Sequence, residues 1–312
     1  MANEYVSIRV STLRGDQKID FNAYVKIDEK HILYLRNGDS FEGPRLDRLK
    51  SKKLKKMYIV NDDEQKYINY MQRNIDMAYD DLSGKDIKTR SEIIQGVQQN
   101  NTEEVFENPE NQAAYSVAKE AAGKYVDFLI KNTDAVKSIV NVPNVDQNIA
   151  HHGVTVSTLA VALAEKLNLF DQKQKQLLAL GALLHDYGHF ESTINIARPL
   201  KDFSKEEYET YRKHSTIGAQ KVQDKKHFDT AVINIIHQHE EKCDGTGPLA
   251  YVEKNIDPMA LVVGAANAVD RLMTFEGNSI DQVIKKLMVE EVGKFPLQYI
   301  QTLGEILKQA QA

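Results

Sequence analysis

Residues 177–189 have the sequence LLALGALLHDYGH, an apolar run that ends in a histidine–aspartate pair. The run from Leu177 to Leu184 predicts a buried helix with His185 and Asp186 at its end. Neighbouring side chains on a helix point about 100° apart, so both can face one metal cluster, and the carboxylate oxygens of Asp186 can bridge two ions. A buried aspartate without a cation would be costly. The dipeptide occurs by chance in many proteins, so its meaning depends on the ligands that accompany it.

Most histidines of the chain are concentrated around this pair, since eight of the nine lie between His151 and His239. His152 shares a predicted helix face with Val156 and Leu159 and therefore points inward, although an inward histidine alone is more often a satisfied core residue than a ligand. Further candidates follow on two later predicted helices, namely His214 and then His237, His239, Glu240 and Glu241. Together these residues predict a metal site assembled from four successive helices.

The types of ligand restrict the metal and the kind of site. Imidazoles combined with carboxylates favour Fe, Mn, Zn or Co over Mg or Ca. The absence of clustered cysteines argues against a structural zinc site. A purely structural metal site stays open as an alternative, but mixed sites of this kind more often keep open positions for water or substrate.

Composition excludes several classes of function. The 312 residues carry a formal net charge of −5, so general nucleic-acid binding, which requires a basic surface, is not expected. Cys243 is the single cysteine, so no intramolecular disulfide forms. The N-terminus lacks the basic start and apolar core of a signal peptide, and no apolar run approaches the roughly 18 residues of a membrane span. The sequence therefore predicts a soluble, cytoplasmic protein.

The fold is predicted to be mainly α, in three parts. Residues 1–82 combine period-two alternation, typical of strands, with a helix near 64–79, and predict a small α+β domain. Residues 83–147 predict a helical connector, with a short helix near Ile93 and an amphipathic helix over 111–132. Residues 148–312 predict a bundle of about seven helices, over 149–168, 171–187, 204–224, 228–241, 258–275, 279–290 and 296–310.

Five motifs within residues 148–275 resemble, in order and spacing, those of the HD-GYP family of bacterial cyclic di-GMP phosphodiesterases. The matching segments are His152 for the first histidine of the family, residues 185–189 (HDYGH) for HDxGK, residues 214–218 (HSTIG) for a later His-x-x-x-Gly, residues 239–248 (HEEKCDGTGP) for HHExxDGxGYP, and residues 265–272 (AANAVDRL) for VADxxDAL. The resemblance implies a C-terminal HD-type helical bundle preceded by a regulatory or sensory domain.

The resemblance also implies a binuclear centre of two divalent transition-metal ions, with iron expected and manganese or zinc as alternatives. The implied metal ligands are His152, His185, Asp186, His214, His239, Glu240 and Asn267, with His237 as an alternative ligand. Catalytic roles fall to Asp186 and His189. The implied ligand is a cyclic dinucleotide, with cyclic di-GMP as the substrate. The implied substrate groove is bordered by His189, Gly245, Thr246, Gly247 and Pro248.

The chain departs from the family pattern at several of these positions. His189 replaces the motif lysine, Glu240 replaces the second histidine of a pair, and Asn267 replaces a late aspartate. The tyrosine of GYP is missing. Asn148 stands where some members have a glutamate, which favours two metal ions over three.

Three functions therefore stay open. The first is hydrolysis of cyclic di-GMP, with an activity that these losses would lower. The second is a binding module with weak or no turnover, which senses a cyclic dinucleotide or docks a partner protein. The third is another activity of the HD superfamily, such as that of a nucleotidase, which the Gly-x-Gly-Pro loop at residues 245–248 makes less favoured.

Overall fold

Period-two alternation in the first sixty residues produces an antiparallel sheet. Its strands are β1 (Tyr5–Arg9), β2 (Ala23–Ile27), β3 (Lys30–Leu35) and β4 (Lys56–Val60), in the order β1-β4-β2-β3. Helices α1 (Pro44–Ser51) and α2 (Glu64–Tyr79) accompany the sheet. Ile8, Ile59 and Tyr70 are buried in one apolar core, because alternate residues of a strand lie on the same face. The predicted strands and the helix at 64–79 are confirmed.

The structure is a computed structural model that describes residues 4–15, 17–42, 44–144 and 148–311, with the backbone alone for Lys50. Residues 1–3, 145–147 and 312, at the ends of the three predicted parts, lie outside the described residues. The chain divides into two units, Met1–Asn100 and Asn101–Ala312. The division into three parts stays a proposal.

Helix α3 (Ile87–Glu107) is longer than its sequence predicts. The prediction of a short helix near Ile93 was wrong in length because this helix buries polar side chains. Gln98 and Thr102 are at most 1% exposed, and Gln95 Nε2 donates to Gln99 Oε1 at 3.2 Å. A helix whose buried face is polar shows no apolar periodicity.

The remaining helices form the second unit. They are α4 (Gln112–Lys131), α5 (Thr133–Val140), α6 (Ile149–Lys166), α7 (Gln172–Leu184), α8 (Lys205–Arg212), α9 (His214–Val222), α10 (Thr230–Gln238), α11 (Pro258–Asp270), α12 (Ile280–Lys286) and α13 (Leu297–Gln311). Helices α6 and α11 are buried on most sides and lie in the main apolar core, as helices that are apolar all round must. The mainly helical fold with a small N-terminal sheet is confirmed.

Two helices of this unit are interrupted or end early where the sequence predicts a continuous helix. The helix predicted over 171–187 ends at Leu184 and is followed by a 3-10 turn at Tyr187–His189. The helix predicted over 204–224 is instead α8 and α9, which are separated at Lys213. Both interruptions lie next to a candidate ligand. Among the helices that the structure describes, none is long and apolar enough to cross a bilayer.

Candidate metal centre

A close crossing of α6 and α7 brings the first two candidate ligands together. Gly153 follows His152 on α6, and a Cβ atom at this position would lie 2.7 Å from the carbonyl oxygen of Leu183 on α7. That distance is shorter than van der Waals contact, so a larger residue would push the helices apart. The crossing leaves the ring centroids of His152 and His185 5.1 Å apart.

A second close crossing sets α9 against the turn that follows α7. A Cβ atom on Gly188 would lie 1.9 Å from the carbonyl oxygen of His214, and Gly218 of α9 packs against the same turn. Two glycines therefore permit backbone-to-backbone contact here. This contact places His214 beside Asp186, 28 positions earlier in the chain.

Asp186 is shared by two overlapping groups of ligand atoms. The groups are His152, His185 and Asp186, and Asp186, His214 and His239; within each, the ligand atoms lie within 4.8 Å of one another. Asp186 Oδ2 lies 3.6 Å from His152 Nε2. Its Oδ1 atom lies 3.5, 3.3 and 3.5 Å from Nε2 of His185, His214 and His239. All these side chains are buried, so the structure brings together four histidines and the aspartate singled out in the sequence.

Three of the imidazoles satisfy carbonyl groups at helix ends. The contacts are His185 Nδ1 to Ala182 O at 2.6 Å, His214 Nδ1 to Tyr211 O at 2.6 Å, and His239 Nδ1 to Ile236 O at 3.0 Å. These carbonyls belong to the last turns of α7, α8 and α10, where the helix itself offers no donor. Each Nδ1 therefore carries the proton in the neutral ring, and each Nε2 directs a lone pair toward Asp186.

This arrangement of lone pairs fits a bound metal ion. The Nε2 atoms of His214 and His239 lie 2.9 Å apart, and with protons on both Nδ1 atoms they are two acceptors that repel each other. Among the described residues, His185 Nε2 is buried without any hydrogen-bond partner. Leaving a buried acceptor unsatisfied costs about 1–3 kcal/mol. A cation between these atoms would relieve both problems, and the nitrogen and carboxylate donors suit Fe, Mn, Zn or Co.

His152 is oriented by a carboxylate that the sequence analysis did not single out. Its Nδ1 atom lies 2.5 Å from Asp270 Oδ2, and its Nε2 atom faces Asn267 Oδ1 at 3.1 Å. A carboxylate behind a histidine fixes the ring and raises its basicity as a ligand. Asp270 follows Asn267 by three positions on α11 and so shares its face. That spacing was the available signal.

Glu240 and Asn267 lie at the edge of the centre and are linked to each other. Asn267 Nδ2 and the Tyr211 hydroxyl donate to Glu240 Oε1 at 3.1 and 2.7 Å. Glu240 Oε1 lies 3.9 Å from His239 Nε2. Burial raises the pKa of Glu240, but nearby positive groups, Lys242 first, outweigh burial and lower the pKa to about 2. Glu240 is therefore ionised at neutral pH.

The buried charges of the centre favour an ionised Asp186. Burial raises the pKa of Asp186, but the surrounding imidazoles, His185 first, outweigh burial and hold this pKa well below its usual value. Burial lowers the pKa of His185 to about 3, so that its ring is neutral. Burial also lowers the pKa of His214, but the hydrogen bond that the protonated ring donates to Asp186 and the charges of Asp186 and Glu240 together outweigh burial, so the net shift is upward.

His189 lies next to the centre as a packed ring. It stacks on His214 and Tyr211, with ring centroids 3.8 and 5.2 Å apart, and is 3% exposed. Burial, followed by the neighbouring His214, holds the pKa of His189 well below its usual value, so this ring supplies no positive charge. His237 is half-buried on α10 and belongs to neither group of ligand atoms among the described residues.

A cavity of about 350 Å³ lies beside Glu240 and Asn267. Thr246, Gly247 and Pro248 are among the residues that line it. Gly245 is not among its lining residues; it forms the turn of this loop, with φ +78°. The cavity is therefore in contact with the edge of the centre.

Glu241 holds this loop in shape. Its carboxylate accepts from the backbone N–H groups of Leu249 and Tyr251, both at 2.8 Å. It is 1% exposed and lies against Gly247, where a Cβ atom would come within 2.7 Å of the carboxylate. Its backbone contacts thus explain the burial of this acid without a metal.

Tyr211 and Arg271 also line the cavity, and the sequence analysis did not single out either as a site residue. Arg271 is the first residue of a π-helical turn, Arg271–Phe275, that continues α11. Its guanidinium carbon lies 5.0 Å from the ring centroid of Tyr211 and 5.1 Å from that of Phe275. The available signal was the place of Arg271 within residues 265–272, the segment that resembles VADxxDAL.

Comparison with known proteins identifies an HD domain over residues 149–272. The solved structure of Bd1817, an HDG"Y"P protein from Bdellovibrio bacteriovorus, is 62% identical, with a TM-score of 0.94, and the match covers 98% of this chain and 100% of that one. The cyclic di-GMP phosphodiesterase PA4108 from Pseudomonas aeruginosa is 25% identical over 189 residues, or 54% of this chain. That match spans 45% of the relative, less than half of its length. The HD domain of the L. monocytogenes phosphodiesterase PgpH is 15% identical, with a TM-score of 0.41, over 52% of this chain and 91% of that one.

Proposed function

We propose, because this chain belongs to the HD-GYP family, that it is a metal-dependent phosphodiesterase that hydrolyses cyclic di-GMP. One observation carries the proposal: Asp186 is shared by two buried groups of imidazoles, whose lone pairs converge on it. A cavity lies at the edge of these groups. The name of the Pseudomonas relative supports cyclic di-GMP as the substrate.

The proposed cofactors are two divalent transition-metal ions, with iron expected and manganese or zinc as alternatives. The residues proposed to hold them are His152, His185, Asp186, His214, His239, Glu240 and Asn267, with His237 as the alternative ligand. When bound, such ions polarise phosphoryl oxygens and lower the pKa of the attacking water. Asp186 is the proposed bridge because it lies in both groups. Asn267 offers a neutral carbonyl oxygen and is expected to be the weakest ligand.

Other side chains of the site orient the proposed ligands and enclose the cavity. Asp270 fixes the ring of His152 through Nδ1, and residues 246–248 border the substrate cavity. Among the described residues, His189 Nε2 is buried without a hydrogen-bond partner. We keep His189 as a proposed contact of the substrate, acting as a neutral hydrogen-bonding group rather than as a cation.

A second candidate function is a cyclic-dinucleotide sensor, or a module that docks a partner protein, with weak or no turnover. The observation that favours it is the neutral, packed ring of His189 at the position of the motif lysine. A lysine there would supply a permanent positive charge near a bound phosphate. Loss of that charge is expected to slow hydrolysis more than it alters the shape of the cavity that binds the ligand.

The test uses the full chain, loaded anaerobically with Fe(II), or with Mn(II) or Zn(II), and incubated with cyclic di-GMP. Cyclic di-AMP and bis(p-nitrophenyl) phosphate serve as comparison substrates. Chromatography detects linear product, and calorimetry measures binding. We expect hydrolysis of cyclic di-GMP in preference to the others, with loss of metal and product in Asp186→Ala. The matched control is Glu191→Ala, whose carboxylate is five positions away and 70% exposed.

The outcomes separate the candidate functions. Binding of cyclic di-GMP without product supports the sensor. Hydrolysis of bis(p-nitrophenyl) phosphate without activity on either cyclic dinucleotide supports another HD-superfamily activity. Asp186→Ala protein that retains its metal and its activity refutes the assignment of the centre.

A further inference from the structure

Arg271 is a buried cation in the wall of the cavity. The residue is 9% exposed, and aromatic rings of Tyr211 and Phe275 lie 5.0 and 5.1 Å from its guanidinium carbon. Such cation–π contacts stabilise the charge modestly. Their contribution is small beside the cost of removing a full charge from water.

Within the part of the chain that the structure describes, the guanidinium makes no direct ion pair, although its charge contributes to the lowered pKa of the nearby Glu240 carboxylate. Among the described residues, no carboxylate forms an ion pair with Arg271, and no side chain or carbonyl accepts a hydrogen bond from its guanidinium. A guanidinium carries five N–H donors in a planar fork, suited to two oxygens of a carboxylate or phosphate. Two other cations of the cavity have polar partners: Lys294 pairs with Glu291 at 3.1 Å, and Arg212 donates to Gly247 O at 3.3 Å. Lys242 lies over the Phe295 ring, with Nζ 4.4 Å from the ring centroid.

The position of Arg271 points to a ligand rather than to a structural partner. It lines the same cavity as Glu240 and Asn267, which border the metal centre. Asn267 and the Tyr211 hydroxyl already donate to the Glu240 carboxylate. The donors of Arg271 are therefore left for an anion that enters from solvent.

We propose that Arg271 is the residue that binds the phosphate of the substrate, through its guanidinium fork and the non-bridging oxygens of a phosphodiester. This inference rests on the proposed function for the identity of the ester, whereas binding of an anion does not require turnover. Arg271 also stands where the HD-GYP motif VADxxDAL has alanine. Relative to the family motifs, the chain therefore gains a cation at Arg271 and lacks the lysine cation at the position of His189.

The test compares Arg271→Met and Arg271→Lys in the full, metal-loaded chain. Methionine keeps an aliphatic stem against Tyr211 and Phe275 without the charge, and lysine keeps the charge without the fork. Calorimetry measures binding of inorganic phosphate and of cyclic di-GMP. The matched control is Arg198→Met, because Arg198 forms an ion pair with Glu207 and is not among the residues that line the cavity.

We expect Arg271→Met to weaken binding of both probes by about 10- to 100-fold, as for loss of a hydrogen-bonded charge. Arg271→Lys should lie in between, and Arg198→Met should bind like the unaltered chain. Metal content should be unchanged in every variant. The melting temperature of the metal-free Arg271→Met protein should be unchanged or higher, because an unpaired buried charge opposes folding.

Unchanged phosphate affinity in Arg271→Met overturns the inference, as does a fall in its melting temperature or metal content, which indicates a structural role. Weaker phosphate binding in a chain without hydrolytic activity supports Arg271 and refutes only the proposed function. Hydrolysis of cyclic di-GMP with an unchanged KM in Arg271→Lys and Arg271→Met refutes only the inference.

Discussion

Asp270 provides a sharp test of the metal centre, because it contacts one of the two ligand groups and not the other. Its Oδ2 atom lies 2.5 Å from His152 Nδ1, and both side chains are at most 1% exposed. His152 belongs to the group with His185 and Asp186. Replacing Asp270 should therefore lower the affinity of this group for its metal ion. The group of Asp186, His214 and His239 should keep its affinity.

The size of the effect follows from this contact. A hydrogen bond to a charged, buried group contributes about 1.5–3 kcal/mol, equivalent to about 10- to 100-fold in an equilibrium constant. Partners of metal-ligating histidines have effects of the same order. Asp270→Asn keeps an acceptor oxygen and loses the charge, so it should lie near the lower end. Asp270→Ala also frees the ring of His152 and should lie near the upper end.

The assay is titration of the metal-free variants with Mn(II) or Zn(II), followed by calorimetry and elemental analysis after gel filtration. We expect two classes of site, of which one loses affinity in Asp270→Asn and Asp270→Ala. Thr274→Val is the matched control, because the Thr274 hydroxyl donates to the other oxygen of Asp270 at 2.9 Å and its loss should cost only a few-fold. Two unchanged affinities in Asp270→Ala would refute the role of Asp270, and equal loss at both sites would refute the independence of the two groups.

Two further predictions concern the support of the centre. Gly188→Ala should lower the free energy of unfolding by about 1–3 kcal/mol in urea denaturation and reduce metal content, because the new Cβ would lie 1.9 Å from the His214 carbonyl. Gly304→Ala is its control, because the new Cβ would lie at an ordinary van der Waals distance, 3.8 Å, from the nearest side-chain atom. Equal stability of the two variants would contradict the close contact between Gly188 and His214. Tyr211→Phe should cost about 1.5–3 kcal/mol because it removes the 2.7 Å hydrogen bond to ionised Glu240. Tyr208→Phe, at a ring 40% exposed, should cost little, and a Tyr211→Phe protein as stable as the unaltered chain would show that this bond contributes nothing.

Much of the fold could be predicted because local patterns specify it. Alternation of apolar residues specified β1 and β2, and an apolar periodicity of 3.6 specified α2 and most of the later helices. Helix α3 escaped because its buried face is polar, so its stability depends on contacts that no periodicity records. The break at Lys213 was not predicted because it depends on a contact between side chain and backbone. The Nδ1 atom of His214 hydrogen-bonds to the Tyr211 carbonyl there.

The candidate residues of the site divide in the same way. Residue type and order along the chain identified His152, His185 and Asp186, because imidazole and carboxylate donors are recognisable without coordinates. Asp270 and Arg271 were not identified, because an aspartate or arginine acquires its role from what lies opposite it. The neutral state of His189 likewise follows from burial against His214 and Tyr211, which sequence spacing does not reveal.

The sequence by itself determined which helices and strands form and which side chains can bind a metal, because both depend on residues within a few turns of one another. Only the tertiary structure decided that Asp186 is shared by two groups of imidazoles and that Arg271 is buried without a direct ion pair among the described residues. These properties depend on backbone approaches, such as that of Gly188 to His214, between segments separated by tens of residues. Such approaches arise from packing. Packing determines the charge and the tautomer of each side chain, and which of its hydrogen-bonding groups have no partner.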